Sequence, residues 1–205
     1  MALTATLVVL ASGNGSNLQA ILDACDSGLL DAAVSLVVVN RQAALAAPRA
    51  ASRGIATHYA PLGPYRQRFE DVAEARAAYD ADLAAEVAAE SPDLVIQAGW
   101  MHLFSMAFLG EFPNQVVNLH PALPGRFPGA HAIDEAWAEH ESSGLTHTGV
   151  MVHLVPDEGV DDGPVIVAEE IPIDSGDTRE SLEARIQSVE HRVFPAAIAQ
   201  LLESR

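Results

Sequence analysis

The chain has 205 residues, 49% of them hydrophobic, which is enough to bury a core and a length that suits one domain. Its 28 acidic and 11 basic residues leave a net charge of −17, which repels phosphodiester backbones and speaks against nucleic acid as a partner. All the Lys+Arg residues are Arg, so a Walker-type lysine, a Schiff-base lysine and a lysine general base are excluded.

Cys25 is the only cysteine, so an internal disulfide is excluded and a reducing, cytoplasmic location is expected. The opening MALTATLVVLASG has no basic leader, and its apolar run falls far short of the ~20 residues that span a bilayer. Neither export nor membrane association is expected.

Apolar runs at residues 7–10, 34–39, 94–96 and 116–119 are too short for membrane helices and are followed by Gly, Asn or His. They predict buried parallel strands. Leu18, Ile21, Leu22 and Cys25 recur at helical spacing, and an Ala-rich helical pattern runs from about residue 69 to 90. This alternation predicts an α/β fold, an open, mostly parallel twisted sheet of Rossmann-like type with helices on both faces. Ligand sites in such sheets gather at the carboxyl ends of the strands. After Pro121 the pattern changes. LPGRFPGAHA is loop, IDEAWAEHE is a short helix, and Val150, Val152 and Leu154, then Val165 and Val167, alternate as two antiparallel strands around the acidic loop PDEGVDDG. Asp177 and Glu180 predict a capping box for a final helix with Leu182, Ile186, Val189 and Val193 on one face. Pro195 is expected to bend or interrupt that helix. No repeat or low-complexity linker divides the chain, so residues 1–205 form one predicted domain.

Gly13-Asn14-Gly15-Ser16-Asn17 lies between a strand and a helix, where free N–H groups and the helix dipole can hold one phosphate or carboxylate. A tight turn capped by Ser16 is the competing interpretation. A dinucleotide is not expected, because Leu18 stands where its fingerprint needs a third glycine and Asn40 where it needs an acid. In NLHPALPGRFPGAHA, Asn118 and His120 alternate at a strand end, so both side chains can face one pocket. An amide beside an imidazole suits a carbonyl under attack, since both can donate to a developing oxyanion and the imidazole can also move a proton. A capping Asn beside a packed His is the alternative. A carboxylate from PDEGVDDGPVI next to His120 would raise its pKa and orient its ring, whereas a solvated turn is the plainer fate of such a run. Asp157, Asp161, Asp162, His147 and His153 lie close in sequence, but without a recognised ligand spacing, and no metal is expected.

The stretches VVLASGNGSNLQAILDA, GIATH, PDLVIQAGWMHLFS, NLHPALPGRFPGAHA, HTGVMVHLVPDEGVDDGPVI and RIQSVEHRVFP span nearly the whole chain. In this order they resemble the folate-dependent formyltransferase family, and SGNGSN points to the branch that acts on glycinamide ribonucleotide in purine synthesis. The resemblance implies 10-formyltetrahydrofolate as cosubstrate, the amine of 5-phosphoribosylglycinamide as acceptor, and no metal. It implies catalytic roles for Asn118, His120 and Asp161, with Asp161 rather than Asp162 keeping His120 protonated. Gly15, Ser16, Asn17 and Glu190 correspond to ribonucleotide-binding positions. Arg76, Met101, His102, Leu103, Phe104 and Asn118 correspond to folate-binding ones. The phosphate half is then roughly residues 1–100, and the catalytic and folate half roughly residues 100–205, with a homodimer allowed.

The chain departs from its relatives at Leu123-Pro124-Gly125, where they read Leu-Leu-Pro, and at His102, where they commonly carry Arg. His102 is expected to replace that Arg with a charge that depends on pH. Two alternatives share some of these features. A formyltransferase for another amine, such as an amino sugar, would use Asn118, His120 and Asp161 without needing the phosphate turn. A non-catalytic nucleotide-binding module would use the turn alone.

Overall fold

The computed structural model describes residues 4–204. In chain order its elements are β1 (Ala5–Ala11), α1 (Ser16–Asp26), β2 (Ala32–Val39), α2 (Ala46–Ala51), β3 (Ala56–Tyr59), α3 (Gly63–Arg68) and α4 (Val72–Ala88). There follow β4 (Leu94–Gln97), α5 (Met106–Leu109), β5 (Val116–His120), α6 (Ala132–Ser143), β6 (His147–Leu154), β7 (Val165–Pro172) and α7 (Arg179–Glu203). The strands form one sheet in the order β3-β2-β1-β4-β5-β6-β7. The first five run parallel, β6 runs against both its neighbours, and β7 resumes the first direction. This is the mostly parallel α/β sheet that the apolar runs predict, with its antiparallel pairs in the C-terminal part.

Alternation along β1 explains the layering. Leu7, Val9 and Ala11 pack into one core with α1 and α7, whereas Val8 and Leu10 pack into another with α4 and α5. A strand buried on both faces has no polar side, hence the unbroken apolar run. The next strand, β2, lies on one side of β1 while β4 lies on the other. The crevice between the ends of β1 and β4 is therefore the switch point at which such sheets bind ligands. No helix among the described residues is long and apolar enough to cross a membrane.

Two local readings are corrected. Ser16 does not cap α1: the cap is Gly15, at φ 75°, and Ser16 is the first helical residue. The capping box of α7 is formed by Thr178 and Ser181 rather than Asp177 and Glu180. Asp177 instead accepts from Ser181 Oγ and the Arg185 guanidinium. Pro195 sits inside α7 without ending it, because Ile186, Val193, Phe194 and Ile198 bury the helix in the core on both sides of the missing N–H.

Candidate active site

Asn118 and His120 end β5 on the face opposite Val117 and Leu119, which lie in the α1/α7 core. The antiparallel register sets His153 of β6 beside Asn118 on that face. The loop from β6 to β7 folds back over the sheet and brings in Asp161, which at φ 53° is one of the non-glycine residues in the left-handed region. Gly163 allows the fold-back, since a Cβ there would stand 1.9 Å from the Leu154 carbonyl oxygen.

The Asp161 carboxylate collects four neighbours. Oδ2 lies 3.3 Å from His120 Nδ1 and accepts from the Gly129 N–H at 2.8 Å. Oδ1 accepts from Asn118 Nδ2 at 3.0 Å and lies 3.5 Å from His153 Nε2. Burial opposes its ionisation, but the contacts with His153 and Gly129 and the adjacent His120 outweigh burial and hold its pKa below the usual carboxylate value. Asp162, next in sequence, is exposed.

His120 corrects a further expectation. Burial pushes its pKa below the ordinary imidazole value. Asp161 and the carbonyls of Arg126 and Phe127 pull it upward without reversing the shift. The resting ring is therefore biased toward the neutral form, not held protonated. Its Nε2 faces the Arg126 carbonyl at a long 3.4 Å.

His153, which sequence reasoning considered only as a metal ligand, completes the cluster. Its Nδ1 lies 2.9 Å from the Leu154 carbonyl, and its Nε2 lies 3.2 Å from Asn118 Nδ2 and 3.5 Å from Asp161 Oδ1. The alternation of Met151 and His153 with Val150 and Val152 is the sequence signal that puts His153 on the functional face. Among the described residues no group of three or more His, Cys, Asp or Glu side chains is arranged to hold a metal ion.

The segment after β4 borders this cluster, and with Asn118, His120 and Asp161 it lines a cavity of about 140 Å³. Met101 and Leu103 are exposed, 48% and 60%, whereas Phe104 is buried against Trp100 and Phe108. His102 packs edge-on against Tyr79 and Trp100. Burial, with Arg76, Arg66 and Arg41 nearby, lowers its pKa to about 4, so His102 is neutral near pH 7 and does not replace an Arg as a charge. Arg76 donates through Nε to the fully buried Asp80, whose Oδ2 also accepts from the Ser105 amide and hydroxyl. Arg76 Nη2, His102 Nδ1 and Trp100 Nε1 are buried without a hydrogen-bond partner, which leaves this segment with unmet polar groups.

On the other side of the crevice, the turn after β1 needs Gly15 for space as well as for its φ, because a Cβ there would stand 2.8 Å from Ala46 Cα. Asn17 Nδ2 donates to Glu190 Oε2 at 3.0 Å, while Asn17 Oδ1 is buried and unpartnered. Ser12 Oγ accepts from the Met101 amide at 2.9 Å and so ties this turn to the segment after β4. A larger cavity, of about 1000 Å³, is a groove between α1 and α7 that includes Ser16 and Arg49 but none of Asn118, His120 and Asp161. Size alone would misplace the chemistry.

The β1/β4 switch point and the Asn118, His120 and Asp161 cluster beside it give this α/β sheet a candidate active site. Residues 5–198 match the family model described as formyl transferase. Phosphoribosylglycinamide formyltransferase of Schizosaccharomyces pombe is 44% identical over 205 residues, covering 98% of this chain and 98% of that one. The protein of the same name from Escherichia coli K12 is 37% identical, covering 97% of this chain and 88% of that one. The crystal structure of glycinamide ribonucleotide transformylase 1 from Symbiobacterium toebii superposes with a TM-score of 0.87 at 37% identity, covering 98% of this chain and 89% of that chain. The chain therefore belongs to the formyl transferase family, in its phosphoribosylglycinamide formyltransferase branch.

Proposed function

We propose that this chain transfers the formyl group of 10-formyltetrahydrofolate to the amine of 5-phosphoribosylglycinamide, a step of purine biosynthesis in the cytoplasm. The observation that carries the reading is the Asp161 carboxylate, held 3.3 Å from His120 and 3.0 Å from Asn118 at the border of the cavity.

In this reading the acceptor amine attacks the formyl carbon, and His120 takes the proton that the amine loses. It returns that proton to the folate nitrogen as the old C–N bond breaks. A neutral ring is the form that can accept a proton, which suits the lowered pKa of His120. Asp161 steadies the imidazolium that forms in between. Asn118 turns its amide from Asp161 or His153 to the developing oxyanion. Removing one donor of this kind typically costs ~10²–10³ in rate.

Gly15, Ser16 and Asn17 offer the phosphate the free first-turn N–H groups and the positive end of α1. Glu190, paired with Asn17, contacts the rest of the ribonucleotide. Met101, His102, Leu103 and Phe104, with Arg76 and Asn118, border the folate, and the unpartnered Arg76 Nη2 and His102 Nδ1 fit a ligand rich in polar groups.

The test is to mix purified protein with 10-formyltetrahydrofolate and a panel of amines, following the folate product by absorbance. The ribonucleotide should be turned over far better than its phosphate-free riboside or an amino sugar. Equal kcat/KM for ribonucleotide and riboside would remove the phosphate assignment, and preference for the amino sugar would replace the acceptor.

A further inference from the structure

The turn between β1 and α1 is held from behind by α2. Ala46 N–H donates to the Gly13 carbonyl at 3.4 Å, and Ala46 closes against Gly15. Arg49, one turn further on, grips Asn14 with a fork: Nε donates to the Asn14 carbonyl at 2.9 Å and Nη2 to Asn14 Oδ1 at 2.8 Å. Its Nη1 reaches Gln19 Oε1 in α1 at 3.3 Å. One guanidinium thus spans the turn and the helix that follows it.

The geometry has an electrostatic result. A peptide group cannot present both its ends to the same ligand. With the carbonyls of Gly13 and Asn14 taken by α2, their negative ends face away from the free amides at the start of α1. The buried, unpartnered Asn17 Oδ1 is a separate sign that this end of α1 expects a partner. The nearby buried acid Glu190 makes correct aiming matter more, because an anion that shifts toward it is repelled.

We propose that Arg49 is a positioning residue for the ribonucleotide phosphate, acting through Asn14 by fixing which way the turn faces. This rests on the assignment of Gly15, Ser16 and Asn17 to that phosphate. The fork is the essential element. A planar guanidinium matches a carbonyl and a side-chain oxygen of one residue at once, and a lysine, with the same charge at a single point, cannot hold both in that plane.

The experiment compares wild type, Arg49→Gln, Arg49→Lys, Asn14→Ala and the Arg49→Gln/Asn14→Ala double variant. For each, kcat and KM are measured with ribonucleotide, with riboside and with the folate donor. Arg49→Gln should raise the ribonucleotide KM roughly tenfold, the scale of a lost hydrogen bond to a charged group. Riboside KM, folate KM and kcat at saturation should stay as they are. Arg49→Lys should fail to restore the KM, and the double variant should be little worse than either single one, because both break the same fork. Full rescue by Lys would overturn the proposal in favour of simple charge attraction. Additive effects, or equal losses on riboside and ribonucleotide, would overturn it as well. Asn14 is exposed, so Asn14→Ala keeps the test open if Arg49→Gln folds poorly. A wild type that does not prefer ribonucleotide to riboside would instead bring down the underlying phosphate assignment.

Discussion

Asn17 and Glu190, separated by 173 positions, meet in a hydrogen bond of 3.0 Å between the first turn of α1 and the middle of α7. Glu190 is 7% exposed, and burial raises its pKa, with Glu183 adding to the shift and Asn17 opposing it. The folded chain therefore binds this proton more tightly than the unfolded chain does. Glu190 favours the fold most at acid pH, below its unfolded value, and that contribution is lost as pH rises through the raised folded value. Glu190→Gln should melt higher than wild type near pH 7, with the gap closing in acid, while its ribonucleotide KM rises. Thermal melts across pH check the first part and kinetics the second. A lower melting temperature at neutral pH would mean that the charge is compensated.

The neighbouring acids of the β6–β7 loop should behave unequally. Asp161→Asn keeps size but removes the charge that stabilises a protonated His120, so kcat should fall by ~10² or more. His120→Ala should lose at least as much, with ribonucleotide KM nearly unchanged. Asp162→Asn, at an exposed side chain, should stay close to wild type. Steady-state rates decide it, and equal damage from both Asp variants would reassign the partner of His120.

His102 should contribute shape rather than charge. With its pKa at about 4, the ring is neutral throughout the neutral range, so the folate KM should show no step there that is lost in His102→Phe. A step near pH 6 in wild type, absent from the variant, would restore the role of a pH-dependent cation.

Asp80 should act selectively on the folate side. Its Oδ2 gathers Arg76 Nε at 3.1 Å and the Ser105 amide at 2.7 Å, so it ties Arg76 of α4 to the end of the segment from Met101 to Phe104. Asp80→Asn should raise the folate KM roughly three- to tenfold and leave the ribonucleotide KM alone. Parallel increases in both would show general loosening instead.

What the sequence disclosed follows from where each element lies. The doubly buried β1, β2, β4 and β5 announce themselves as apolar runs. β3 does not, since Ala56–Tyr59 is a sheet edge with largely exposed side chains and no alternation to read. α2, α3 and α5 have six, six and four residues, too few for a helical period to repeat. At α7, Asp177 and Thr178 are both good caps, and only the geometry of the turn selects Thr178. The nearness of Asn118, His120 and Asp161 could be suspected from motifs. The place of His153 depends on the register of β5 against β6, which residue types alone do not set. The neutral bias of His120 and His102 was illegible for a different reason, because desolvation depends on everything packed around a ring and not on its neighbours in sequence.

The sheet order also has a temporal side. β1 is made before the other strands of this sheet, yet one of its partners is β4, and Thr6 must wait for Asp93, 87 positions later. The glycine turn emerges before most of these elements, but Glu190, which accepts from Asn17 beside it, arrives with α7, the last of them. Long-range parallel pairing of this kind forms slowly. A growing chain thus acquires helices well before the Asn17–Glu190 bond can close, and on refolding that contact should lag behind the return of secondary structure.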